Sequence, residues 1–113
     1  QEVAPGPRMS MSQMIVLKAL RTRGPLQVTE VANELTVTLS AATGLVDRLV
    51  KAGFAERERD QRDRRVVWVR ITPEGEQALE AAIQRRRAAF REMVKNLTEA
   101  ELEQLCDILG RMG

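Results

Sequence analysis

Histidine and tyrosine are absent from this 113-residue chain, and cysteine occurs once, at Cys106. Without histidine, the commonest metal ligand and the commonest general base are both missing. A single thiol excludes an internal disulfide framework. The scattered Asp and Glu residues form no acid/base pair at a useful spacing. No catalytic residue, no metal site and no cofactor is therefore expected, and an enzyme is the least favoured class. No apolar run approaches the roughly 20 residues that span a bilayer, and no secretory pattern of basic, apolar and small residues opens the chain. A cytoplasmic protein with no membrane partner is expected. Only Phe54, Trp68 and Phe90 are aromatic, which leaves the chemistry of any ligand pocket obscure.

What is present is arginine. It outnumbers lysine fifteen to three although the net charge is only +2. Planar guanidinium groups suit bidentate contacts to phosphate or guanine; a composition bias of the whole genome is the alternative explanation. The charge is also concentrated. Five arginines (57, 59, 62, 64 and 65) fall within nine residues, on what reads as a hairpin running from Phe54 to Thr72 through a turn at Asp60–Arg65. A two-stranded projection of that size owns no core, so a cation-loaded one points to phosphate.

Around the hairpin the pattern is helical. Residues 1–8 carry Pro and Gly without periodicity and read as a lead-in loop; the chain opens on Gln1 rather than methionine, so an upstream segment bearing a first helix is expected to be missing. Ser10 and Gln13 have capping-box spacing, with Met9 and Met14 placed as a hydrophobic staple, and the helix they start runs to about Arg23, where Gly24 and Pro25 stop it. A short helix follows over Val28 to Leu35. After a turn at Thr36–Val37, Thr38 caps a longer helix that runs to about Ala52, with Ala42, Leu45, Val46 and Leu49 as its apolar face and Gly53 as its end. A short helix, a tight turn and a capped second helix make a helix-turn-helix, whose second helix normally lies in the major groove of DNA.

In the second hairpin strand, Val66 to Ile71, residues Val67, Val69 and Ile71 share one face and Val66, Trp68 and Arg70 the other. Thr72-Pro73-Glu74 then opens a helix reaching about Lys95, and its stripe (Leu79, Ala82, Ile83, Phe90, Met93, Val94) is too long for so small a domain to cover alone. Leu97, Thr98, Glu101 and Leu102 repeat the staple and cap for a last helix faced by Leu105, Ile108, Leu109 and Met112. The expected fold is mainly α with a small β hairpin. Residues 9–73 form a winged helix-turn-helix, and residues 74–113 form an α-helical dimerisation hairpin.

This order of elements resembles the MarR family (multiple antibiotic resistance regulator type) of winged helix-turn-helix transcription regulators. The likeness is carried by Val46-Asp47-Arg48-Leu49 followed by Gly53, then Glu56-Arg57, Asp60-x-x-Asp63-Arg64-Arg65 and Ile71-Thr72-x-x-Gly75. Lys95-Asn96-Leu97-Thr98 with Glu101-Leu102 is similar to the family's C-terminal hairpin. The resemblance implies a homodimer that binds pseudo-palindromic double-stranded DNA operators, usually as a repressor, and releases them when a small lipophilic or phenolic effector binds. It places the recognition helix at Thr38 to Ala52, with Thr38, Ser40, Ala41, Thr43, Gly44 and Arg48 toward DNA, and the wing contacts at Arg57, Arg62, Arg64 and Arg65. It also implies a helix-to-wing salt bridge between Asp47 and Arg65, which strand parity supports by grouping Arg65 with Val67 and Val69 and leaving Arg64 outward.

Each site has a plainer reading. The small residues of the recognition helix fit close approach to base edges, with Thr43 or Ala41 against thymine methyls and Ser40 on phosphate, but equally fit tight packing on neighbouring helices. The wing arginines fit a narrow minor groove, or a solvated turn partly neutralised by Glu56, Glu58 and Asp60. Asp63 reads as a turn former. Trp68 reads as packing against a neighbouring element, or else as part of a ligand pocket. Cys106 reads as a small apolar filler, or else as an oxidant sensor. Beside the transcription regulator stands one further class, a winged-helix module that binds protein and has no operator.

Overall fold

The computed structural model describes residues 9–112; the expected lead-in loop, residues 1–8, lies outside the described residues. The elements are α1 (Met11–Arg23), α2 (Val28–Leu35), α3 (Leu39–Lys51), β1 (Ala55–Arg59), β2 (Val67–Ile71), α4 (Pro73–Lys95) and α5 (Glu99–Met112). The second strand thus begins one residue later than the sequence suggests. Two compact units divide the chain, one ending at Ala82 and the other starting at Ile83. That boundary falls inside α4, beyond the expected one at residue 73, because Gly75, Leu79 and Ala82 are buried and so belong with the first unit.

Side-chain caps start the helices where the sequence places them. Ser10 Oγ accepts from the Gln13 amide at 3.1 Å while Gln13 Oε1 accepts from the Ser10 amide at 2.9 Å. Thr38 Oγ1 accepts from the Ala41 amide at 3.1 Å, and Thr98 and Glu101 exchange bonds of 3.2 and 2.9 Å. Each cap satisfies an amide that has no intrahelical partner, a contribution of about 1 kcal/mol. Between α2 and α3 the chain turns on Thr36, which sits in the left-handed region at φ 56°. That conformation is costly for a β-branched residue. The turn is secured by the Val37 amide, which donates to the Ala32 carbonyl at 3.0 Å.

The core of the first unit is apolar throughout. Val16, Leu17 and Leu20 of α1, Val31 of α2, the face Ala42, Leu45, Val46 and Leu49 of α3, Val69 of β2 and Leu79 of α4 are all buried, each large one contributing roughly 2 kcal/mol by leaving water. The hairpin is antiparallel, with Ala55 opposite Ile71, Arg57 opposite Val69 and Arg59 opposite Val67. It is tied to the helices by a bridge that the sequence reading did not find. Leu26, between α1 and α2, exchanges two backbone hydrogen bonds with Val69, at 3.0 and 2.7 Å. A one-residue bridge has no alternating run to announce it.

A second knot holds the base of the wing. Thr72 Oγ1 donates to the Gly53 carbonyl at 2.6 Å and accepts from the Gly75 amide at 2.9 Å, while the Thr72 amide donates to the Phe54 carbonyl at 3.1 Å. Gly75 lies so close to this crossing that a Cβ there would stand 2.0 Å from the Phe54 carbonyl oxygen. Glycine is required at that position by space.

In the second unit, none of the described residues is buried. Phe90, Met93, Ile108 and Leu109 are 44 to 51% exposed. Cys106 is exposed as well, which corrects its reading as a filler: within one chain this helical pair has no interior for it to fill.

Candidate nucleic-acid interface

Helix α3 has two sides that differ in kind. Its apolar side is spent on the core, and its other side carries Thr38, Leu39, Ser40, Ala41, Thr43, Asp47, Arg48 and Lys51, all exposed. The packing alternative for Ser40, Ala41 and Thr43 is thereby excluded within the chain. Thr38 caps the helix through its oxygen, leaving its hydroxyl proton available. Thr43 is the reverse: its hydroxyl donates to the Leu39 carbonyl at 2.9 Å, so its proton is engaged and its methyl is left to make apolar contacts. A Cβ added at Gly44 would meet nothing within 4 Å. Packing therefore does not ask for glycine there, although glycine costs a helix about 1 kcal/mol relative to alanine.

The expected Asp47–Arg65 salt bridge does not form. Asp47 accepts from the Arg57 guanidinium, and Arg65 pairs with Asp63 at 3.2 Å. Ala55 and Arg57 lie on the same face of β1, and Ala55 is buried where β1 meets α3, so Arg57 is carried toward that helix. Arg65 precedes the first paired residue of β2, Val67. Alternation therefore does not extend to it, and its side chain is 91% exposed. Arg57, rather than Arg65, is the link from helix to wing. Both of its partners are more than a third exposed, so the pair is worth at most about 1 kcal/mol and acts chiefly by fixing position.

At the wing tip, two carboxylates order the backbone. Asp60 Oδ2 accepts from the amides of Arg62 and Asp63 at 3.0 and 2.8 Å, and Asp60 Oδ1 accepts from the Trp68 indole N–H at 3.0 Å. These donors, the indole foremost, hold the Asp60 carboxyl below its ordinary value. Asp63 accepts from the Arg65 amide at 3.1 Å, acting as the turn former that was expected. The Arg59 guanidinium donates to the Arg64 carbonyl, and Arg70 donates to Glu58. What remains is specific: among the described residues, the side chains of Arg62 and Arg64 have no partner and are exposed, as does Arg48 on α3.

Trp68 is the residue that sequence reasoning placed least well. Its indole N–H donates to a carboxylate eight positions back, a partner that neither the packing reading nor the pocket reading named. Nothing periodic signals such a bond. The shallow concavity beside it, about 290 Å³, is lined by Glu58, Arg59, Asp60, Gln61, Arg62 and Arg70, all polar or charged. Among the described residues no cluster of three or more His, Cys, Asp or Glu could hold a metal ion, and no helix is long and apolar enough to cross a membrane.

The MarR family model matches residues 9–67. The HTH-type transcriptional repressor MdtR of Bacillus subtilis is 33% identical over 102 residues, which is 90% of this chain and 66% of MdtR. Three B. subtilis regulators of this type, MdtR among them, are matched over 40 to 66% of their own lengths. Among solved structures, YusO of B. subtilis is 32% identical, with a TM-score of 0.78 over 92% of this chain and 74% of its own. BpsR of Bordetella bronchiseptica, whose DNA binding is regulated by 6-hydroxynicotinic acid, is 25% identical, with a TM-score of 0.69 over 96% and 77%.

Proposed function

The chain belongs to the MarR family of winged helix-turn-helix regulators, and from that premise we propose that it is a homodimeric transcription regulator of the cytoplasm that binds double-stranded DNA as a ligand-responsive repressor. One observation carries the reading. A single compact unit presents an α3 face that its own core leaves open and, on the braced hairpin, two cations with no protein partner.

Each recognition helix enters a major groove, with Thr38 and Ser40 on phosphate, Ala41 and the Thr43 methyl against base edges and thymine methyls, and Arg48 as the one cationic reader. The missing side chain at Gly44 admits close approach. Each wing sets Arg62 and Arg64 into a flanking minor groove, where narrow A·T-rich segments concentrate negative potential. Arg65, held only by an exposed pair within its own turn, exchanges that partner for phosphate. Two copies place their half-site centres about 10 base pairs apart. The exposed stripe of the second unit is covered by the second copy. A small aromatic acid of the kind that acts on BpsR is the class of effector proposed.

Selection of bound sequences from a random duplex pool tests this. An enriched pseudo-palindrome with that spacing is expected, its retention falling steeply with salt and reduced by small aromatic acids or phenols. A protein-interaction module without an operator would enrich nothing and show no salt dependence.

A further inference from the structure

The hairpin ladder ends at the Arg59–Val67 pair, and the tip beyond it is too long for a two-residue turn. Left to itself, each of its residues would retain backbone freedom, and Arg62 and Arg64 would sample many positions. Instead Asp60 gathers the first half of the tip, while Asp63 and Arg59 hold the second through the Arg65 amide and the Arg64 carbonyl. The two amides on Asp60 Oδ2 bend the chain between residues 60 and 63, and the Asp60 amide closes the loop on the Val66 carbonyl at 2.9 Å. The other oxygen of Asp60 is free to take a donor from the opposite strand, and Trp68 supplies it.

That last bond is not needed to pair the strands, which the ladder already does. Nor does it serve burial, which a phenylalanine ring would provide equally. It fixes the Asp60 side chain, and through it the two amides that set the course of the tip. The donors also occupy both oxygens of the carboxylate, so a negative charge can sit beneath a phosphate-binding tip without turning toward the phosphate. We propose that the Trp68–Asp60 hydrogen bond is a latch that presets the arginine tip for DNA, which makes Trp68 and Asp60 positioning residues for Arg62 and Arg64. This rests on the DNA-binding function proposed above. Ordering the tip before encounter lowers the entropy lost on binding, so the latch raises affinity without itself touching DNA.

The test uses Trp68→Phe, which keeps an aromatic ring and deletes the donor. Loss of one net hydrogen bond of about 1 kcal/mol corresponds to about fivefold weaker binding to the selected duplex. The same substitution made in an Arg62→Ala/Arg64→Ala background is expected to have no further effect, because the remaining tip cation, Arg65, is held by Asp63 and not by the latch. Equal affinity of Trp68→Phe and wild type, or an equal loss in both backgrounds, would overturn the proposal. Trypsin reads the latch without DNA: cleavage between Arg62 and Arg65 is expected to accelerate several-fold in Trp68→Phe while the helices resist, and unchanged cleavage would overturn it. Wild-type protein that cuts slowly at the tip yet binds no duplex would instead remove the DNA-binding reading, and the positioning role with it.

Discussion

The two units of this chain solve opposite problems. The one ending at Ala82 contains every residue that is buried and apolar among the described ones, from Val16 to Ala82, although Met11, Ile15, Val37 and Leu39 stay open on its surface. In the unit that starts at Ile83, none of the described residues is buried, and Phe90, Met93, Ile108 and Leu109 stay open. Both units have capped, amphipathic helices. Amphipathicity alone therefore states only that a face wants covering; whether the same chain covers it depends on how many elements converge there. Exposed apolar residues gathered in this way mark a surface that another molecule covers.

Substitution at Gly75 separates the units most strongly. A Cβ 2.0 Å from a backbone oxygen cannot be absorbed by moving a flexible side chain, so Gly75→Ala is expected to cost about 3 kcal/mol or more, read as a large fall in the denaturant midpoint of the first unit. A midpoint within experimental scatter of wild type would show that the knot at Thr72 is looser than described.

Ile108→Glu is the counterpart in the second unit. It should leave the far-ultraviolet spectrum unchanged but weaken self-association at least tenfold, because it places an unpaired carboxylate in the proposed interface. Sedimentation equilibrium showing unaltered association would mean that this stripe is not where the copies meet.

Much of this was legible in the sequence. Ser10, Thr38 and Thr98 with their partners three residues on mark helix starts because capping is local chemistry, and Ala42, Leu45, Val46 and Leu49 mark the core side of α3 because the helical period is fixed. The Leu26–Val69 bridge was not legible, since one extended residue between helices has no pattern. Parity failed at Arg65 because alternation stops where pairing stops, and the cation that reached Asp47 came from the regular strand. The Trp68–Asp60 bond depends on a turn whose path the side chains themselves create. Gly75 stood out as part of a motif, but its reason lies in a crossing of backbones far apart in sequence.

The smallest effect concerns Gly44, where alanine meets nothing within 4 Å. Gly44→Ala is expected to stabilise the fold by about 0.5 to 1 kcal/mol through helix propensity and, at the same time, to weaken DNA binding. Stabilisation with undiminished binding would remove Gly44 from the interface.

Above all, Arg62 and Arg64 at the tip of the wing must enter the minor groove and neutralise the phosphates that flank it. The direct measurement is the dependence of duplex affinity on salt for wild type and for Arg62→Ala/Arg64→Ala, plotted as logarithms. Each lost phosphate contact lowers the slope by about 1, and a dimer carries the pair twice, so the slope should become shallower by about 4. Parallel lines for the two proteins would contradict it.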